Sequence, residues 1–200
     1  MSTRMLVAMA LVSGVVILLA FAAQVLLVGG GEESPLPHGN SWQVMARANQ
    51  APEPGQDPIG LTSDETSMGD RLLEFGLPQV APALRVDSEV LVNVTAWGTD
   101  SAPECDPQVT GVRGDADAGT LVIDLNVDGD AARDCSPKCS PVTYFVAVRR
   151  SIVPAGAVTV SVKSDGGPLD ALAVAADCGM PLGPTDFTVT PPATTSTKAS

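Results

Sequence analysis

The chain is poor in the residues that carry most enzyme chemistry. It contains one histidine, His38, and only three lysines among its 200 residues. A serine or cysteine nucleophile needs a base within hydrogen-bond reach, so a hydrolytic triad is hard to build from this sequence. Glu104, Asp115 and Asp117 could supply paired carboxylates, but acidic residues in turns are ordinary solvated groups. We therefore predict that the protein is not an enzyme and binds no cofactor.

Basic residues are also scarce, because 11 lysines and arginines face 23 acidic residues and give a formal charge of −12. Such a surface repels nucleic acid, so we expect no nucleic-acid partner. The acidic residues are spread along the chain rather than gathered in one run. This spacing is typical of a solubilising surface and indicates no particular cationic ligand.

One long segment near the N-terminus has no charged residue, from Met5 to Val28. A helix of this length exceeds the roughly 30 Å of the hydrocarbon core, so it predicts a transmembrane signal anchor over 5–28. The alternative is a cleaved signal peptide, since Ala20-Phe21-Ala22 has the small-x-small form of a cleavage site. The apolar run continues past that site, which favours the uncleaved anchor.

The flanks of this segment set its expected orientation. Arg4 precedes it, and Glu32 and Glu33 follow it. Basic flanks stay in the cytoplasm, so residues 1–4 are predicted to be cytoplasmic and the rest of the chain extracytoplasmic. The expected location is the cell membrane, with a single span.

Proline and glycine dominate the sequence after the span, so residues 29–61 are predicted to form a flexible tether. Thr62 and Glu65 then have the spacing of a capping box, and Gly76 follows an apolar pattern of helical period. One short amphipathic helix is predicted over 62–76. At the other end of the chain, residues 191–200 are rich in threonine and proline and are predicted to be disordered.

From about Val86 the apolar period changes to two, which is typical of half-buried strands. Turn residues separate the runs. About seven strands are expected within a domain over 79–190, and the fold class is mainly β, an Ig-like antiparallel β-sandwich. The predicted strands cover approximately 86–96, 108–113, 121–127, 142–150, 158–163, 169–176 and 186–190.

Four cysteines lie in this predicted domain: Cys105, Cys135, Cys139 and Cys178. Outside the cytoplasm two disulfides are the default, and three pairings are possible. We favour Cys105–Cys135, which would close the base of the hairpin between residues 108 and 127, and Cys139–Cys178, which would tie in the C-terminal strands. Zinc is the alternative for the CxxxC spacing of Cys135 and Cys139, but His38 is too remote in sequence to complete the site.

The stretch from Trp97 to Cys105, the paired strands after it, and Cys135 six residues before Pro141 resemble a recurring β module of secreted or membrane-anchored actinobacterial proteins without assigned function. The resemblance covers about sixty residues and implies the β-sandwich fold and the first disulfide. Cys139 and Cys178 have no counterpart in it.

Residues 124–130 reproduce the first half of a calcium-binding loop. The pattern then fails, because Cys135 stands where a bidentate glutamate belongs, and the same residues form the polar face of a predicted strand. If calcium binds at all, we expect Asp128, Asp130 and Asp134 to be its ligands.

Aromatic residues and arginine are enriched at interface hot spots, so Trp97, Tyr144, Arg149 and Arg150 are candidates for a recognition patch. Together these features favour a non-catalytic binding or accessory module of the cell envelope, whose partner is an extracytoplasmic protein or an envelope ligand. Two alternatives stay open: a metal- or carboxylate-dependent hydrolase of envelope polysaccharide, and an assembly factor that acts through its span.

Overall fold

A computed structural model describes residues 36, 40–54, 56–98, 105–115, 117–127, 135–136, 138–166 and 169–190. The anchor predicted over 5–28, the candidate calcium ligands Asp128, Asp130 and Asp134, and the tail over 191–200 lie outside these residues. Within the described part of the chain, no helix is both long and apolar enough to cross a membrane. The anchor and the localisation therefore stay predictions.

The described residues form two four-stranded sheets. The strands are β1 (Trp42–Ala48), β2 (Ile59–Thr62), β3 (Glu89–Gly98), β4 (Gln108–Asp115), β5 (Thr120–Asn126), β6 (Ser140–Arg149), β7 (Gly156–Lys163) and β8 (Thr185–Val189). Sheet A has the strand order β1-β6-β3-β2, and sheet B has the order β4-β5-β7-β8. A helix α1 (Glu65–Glu74) and a 3₁₀ helix (Pro78–Ala83) connect β2 to β3, a second 3₁₀ helix (Arg150–Ile152) follows β6, and α2 (Ala171–Asp177) precedes β8.

The prediction of a mainly β protein is confirmed, but sheet B is mixed rather than antiparallel. Strands β5 and β7 pair in parallel, from Thr120 opposite Thr159 to Asp124 opposite Lys163. Between them the chain crosses to sheet A as β6 and returns. Each connection reverses the chain direction, so β7 returns to sheet B in the direction of β5.

The main core lies between the two sheets. The inward side chains alternate along β3, β5 and β7, as the period of two predicts. Helix α2 closes one side with Ala171, Val174 and Ala175. The buried core residues of the central strands include Val90, Val92, Val94, Leu121, Ile123, Leu125, Val158, Val160 and Val162.

The other face of sheet A is buried as well, beneath α1. Met68, Leu72 and Phe75 of the helix pack on Leu91 and Phe145 of the sheet. The rings of Phe75 and Phe145 meet edge to face, with centroids 5.0 Å apart. Consequently every residue of β6 from position 142 to 148 is buried, and this strand shows no alternation of polar and apolar residues.

Polar residues on the face under α1 form hydrogen bonds with one another and with the helix. Thr95 and Thr143 share a hydrogen bond of 2.8 Å, and Thr143 donates to the carbonyl oxygen of Gln50 at 2.7 Å. Arg71 of the helix donates from Nε to Asn93 Oδ1 at 3.1 Å. These contacts fix the helix and the chain after β1 to sheet A.

Two strands lie within the segment that its proline and glycine content predicted as a flexible tether. β1 pairs with β6 along one edge of sheet A, and β2 pairs with β3 along the other. Both central strands are long and buried, and pairing supplies hydrogen bonds for their outer edges. Local composition carries no signal of such long-range pairing, so the folded domain begins well before residue 79.

Both helices correct the sequence-based boundaries. Asp64, not Thr62, caps α1 by accepting from the Ser67 amide at 2.9 Å, because Thr62 ends β2. The segment 169–176, predicted as a strand, holds α2. Asp170 caps this helix by accepting from Leu172 N at 2.9 Å. Its buried residues Ala171, Val174 and Ala175 have the spacing i, i+3, i+4, which is helical.

One end of the sandwich, the terminal end, is where the chain enters and leaves the two sheets. The Arg149 amide donates to Ser41 O at 2.9 Å, just before β1. The guanidinium of Arg150 donates to three carbonyl oxygens, those of Ser63, Val86 and Thr190, the last one just after β8. Burial lowers the pKa of Arg150, and the nearby charge of Asp87 opposes that shift. Arg150 thus joins the chain exit to the helical layer.

Replacing Arg150 by alanine should lower the free energy of unfolding by about 2–3 kcal/mol, since three carbonyls lose a charged donor. The matched control is Arg113→Ala, because the Arg113 side chain is 66% exposed and pairs with Asp124 at the surface. Its loss should cost less than about 1 kcal/mol. Denaturant unfolding followed by circular dichroism measures both, and equal losses would contradict the assignment.

Candidate functional site

The end opposite the terminal end, here called the loop end, carries the long connections between strands. The registers of Gly98 with Ser140 and of Gln108 with Asn126 place these strand ends together within each sheet. The connections 49–58, 99–107 and 127–139 therefore all leave from this end. Loops held on a rigid strand scaffold are the usual place for binding residues.

Disulfides fasten this end of the domain. Cys105–Cys135, with Cα atoms 5.6 Å apart, links the β3–β4 connection to the β5–β6 connection. Cys139–Cys178, at 5.4 Å, links the residue before β6 to the C-terminus of α2. This is the pairing that the spacing favoured. Each bridge is expected to contribute about 2–4 kcal/mol.

Four polar residues from three segments of the chain meet at the loop end, and we call them the Tyr144 cluster: Arg47, Asp106, Gln108 and Tyr144. The Arg47 guanidinium binds Asp106 Oδ2, with side-chain exposures of 31% and 5%. The Gln108 amide donates to Asp106 O at 3.1 Å. Arg47 is the direct cross-strand partner of Tyr144.

A β-bulge places Arg47 in this cluster. Val44 pairs with Val146, whose side chain lies in the core between the sheets, and the register then shifts before Ala46 pairs with Phe145. One extra residue in a strand reverses the face of every residue after it. Without the bulge Arg47 would lie on the face beneath α1, so the bulge turns it inward, next to Tyr144.

Two donor atoms of this cluster lack a hydrogen-bond acceptor among the described residues. They are the hydroxyl of Tyr144 and Nε of Arg47, and both are buried. Burial raises the pKa of Tyr144 to about 12, while the charge of Arg47 and a hydrogen bond with the Gln108 side chain lower it and Asp106 raises it. Tyr144 therefore stays protonated at neutral pH and can donate a hydrogen bond.

The recognition patch predicted from the sequence is not one surface. Trp97 and Tyr144 lie toward the loop end with only 4% and 2% of their surface exposed. Arg149 and Arg150 lie at the terminal end, and Arg150 is committed to backbone carbonyls. The sequence missed Arg47, Asp106 and Gln108. Arg47 fell in the predicted tether, and nothing in the local sequence marks the bulge.

Several acidic candidates have structural partners. Asp124 accepts from Arg113 at 2.7 Å, and Asn126 accepts from the Asp165 amide at 2.8 Å. Asp115 accepts from two backbone amides in the β4–β5 turn. In the described part of the chain, no three histidine, cysteine or acidic residues are grouped to hold a metal. Asp128, Asp130 and Asp134 fall outside that part, so the calcium hypothesis stays a prediction.

No protein-family model, no curated protein and no solved structure matches this chain.

The single tyrosine of the chain makes the site easy to test, since tyrosinate absorbance reports Tyr144 alone. We expect its titration midpoint in the folded protein to be about 12, against the usual 10.0 for the unfolded chain. Because the unfolded state loses its proton first, this group should lower stability as pH rises from about 10 to about 12. A folded-state midpoint near that of the unfolded chain would contradict the burial of the hydroxyl.

Tyr144→Phe is the matched control for this titration. It keeps the ring and removes only the hydroxyl, which has no acceptor among the described residues. Stability at neutral pH should therefore stay unchanged or rise by up to about 1–2 kcal/mol. A clear loss of stability would mean that the hydroxyl has an acceptor in the free protein.

Proposed function

We propose that this protein is a membrane-anchored, extracytoplasmic and non-catalytic binding module of the cell envelope. Its loop end meets an envelope ligand or an extracytoplasmic partner protein. The observation that supports this proposal is that the chain ends and the long connections of the domain lie at opposite ends of the sandwich. Ser41 and Thr190 lie at the terminal end, whereas the disulfide-linked connections and the Tyr144 cluster lie at the opposite end. The chain therefore enters β1 and leaves β8 at the end of the domain away from these connections.

The two disulfides support an extracytoplasmic domain, because such bridges persist in oxidising compartments. The uncharged run from Met5 to Val28 supports a membrane anchor, with residues 1–4 inside the cell. Both disulfides also stiffen the loop end. A binding surface that is already ordered loses less conformational entropy when a ligand arrives.

The anchor is tested on the protein purified from membranes of its source. We expect an intact mass that includes residues 1–28, and retention in the membrane fraction after alkaline washing. Protease added to cells without an outer permeability barrier should degrade the domain, while a cytoplasmic control protein survives. A mass that begins after Ala22 would instead indicate a cleaved signal peptide.

Binding through the loop end is tested by placing a photo-crosslinking amino acid at exposed positions of the full chain. Gln108 and Ser136 are exposed at the loop end, and Thr188 is an exposed control in β8. We expect the two loop-end positions, in native membranes, to give the same discrete adduct, which the control position does not give. Equal labelling from all three positions would contradict the proposal, as would hydrolysis of envelope polysaccharide by the purified protein.

A further inference from the structure

The Tyr144 cluster holds two buried donors on one face of sheet A. Tyr144 and Arg47 are cross-strand partners, so their side chains leave adjacent strands on the same face of sheet A. The Tyr144 hydroxyl and Arg47 Nε have no acceptor among the described residues. Buried donors in native proteins nearly always have a partner, so an acceptor atom from outside the described chain is expected here.

The charges of the cluster decide which acceptor fits. Arg47 already binds the buried carboxylate of Asp106, so this pair has no net charge. A carboxylate ligand would meet the negative charge of Asp106 at close range, and a cation would be repelled by Arg47. A neutral carbonyl oxygen has two lone pairs and accepts from two donors at once.

The edge of the cluster reaches the surface, although its two donor atoms are buried. The Arg47 side chain is 31% exposed, and Gln108 is exposed beside it. Arg47 lies in β1, the outermost strand of sheet A in the described structure, whose free edge presents backbone N–H and C=O groups. The bulge between Val44 and Ala46 divides that edge, and the segment after the bulge lies next to the cluster.

We propose that Arg47 and Tyr144 bind the carbonyl oxygen of a peptide bond in an extended ligand segment that lies beside the end of β1. The ligand class is therefore a peptide or an extended segment of a partner protein. The free edge of β1 favours this class over an acetamido sugar, because a peptide also has backbone groups that pair with a strand edge. This inference rests on the proposed binding function of the loop end.

The experiment uses the full chain in detergent, with the ring of its single tyrosine isotopically labelled for NMR. The probe is N-acetylglycine methylamide, a blocked dipeptide with no net charge. N-acetylglucosamine and sodium acetate are titrated in parallel at the same concentrations. We expect the dipeptide to shift the Tyr144 ring signal saturably, and acetate to cause no saturable shift.

The variants are Tyr144→Phe and Arg47→Lys. Because Tyr144→Phe removes the labelled ring, dipeptide binding to the variants is measured from the backbone amide signals of β1. Each should weaken dipeptide binding at least ten-fold, because each removes one of the two donors. Arg113→Lys, at an exposed position on sheet B, should leave the affinity unchanged. Thermal unfolding of each variant separates loss of binding from loss of fold.

Two results would overturn the inference. The first is the absence of a saturable shift with any probe, together with a long-lived bound water at the Tyr144 hydroxyl, which would show that water is the missing acceptor. The second is saturable binding of the sugar without the dipeptide, which would replace the peptide class. Neither result decides the proposed function, because loop-end crosslinking in membranes is measured independently of these probes.

Discussion

The architecture depends on the burial of sheet A on both of its faces. Strands β3 and β6 pair over ten residues at the centre of this sheet, with the core between the sheets on one side and α1 on the other. A strand buried on both faces needs apolar residues or satisfied polar residues at every position. This requirement accounts for the continuous burial of β6, for the hydrogen bond between Thr95 and Thr143, and for Arg71 above Asn93.

The two covered faces also explain why the edge strand β1 carries a bulge. Before the bulge Val44 packs against the core between the sheets, and after it Ala46 and Ala48 pack beneath the helical layer. The small alanines suit a face that a helix covers closely. Arg47, between them, then points inward at the open end of the sandwich, where Asp106 pairs with it. The Tyr144 cluster thus forms because β1 packs on the core between the sheets before the bulge and on the core beneath α1 after it.

Elements with a local sequence pattern could be predicted, whereas elements that depend on contacts between distant residues could not. Strands β3, β5 and β7 alternate between core and polar positions, so the period of two reveals them, and paired cysteines follow from their number and compartment. β1 and β2 depend on long-range pairing with β6 and β3, so composition predicted a tether instead. Helix α2 is short and rich in alanine and valine, which leaves its period ambiguous. The Tyr144 cluster could not be predicted from the sequence, because it depends on a bulge in β1 and on a contact between Arg47 and Asp106, which are 59 residues apart.

Two arginines at opposite ends of the sandwich differ in how many acceptors their guanidinium groups bind. Arg150 donates to three backbone carbonyls from separate segments, so its hydrogen-bonding capacity is spent on holding the chain exit and the helical layer together. Arg47 binds one carboxylate, and its buried Nε has no acceptor among the described residues. The hydroxyl of Tyr144, on the neighbouring strand, is also buried without an acceptor. Unsatisfied buried donors weaken a fold, and these two belong to residues paired across neighbouring strands. The sequence indicated recognition for both Arg150 and Tyr144, but the guanidinium of Arg150 binds three carbonyl oxygens, whereas the Tyr144 hydroxyl has no acceptor among the described residues.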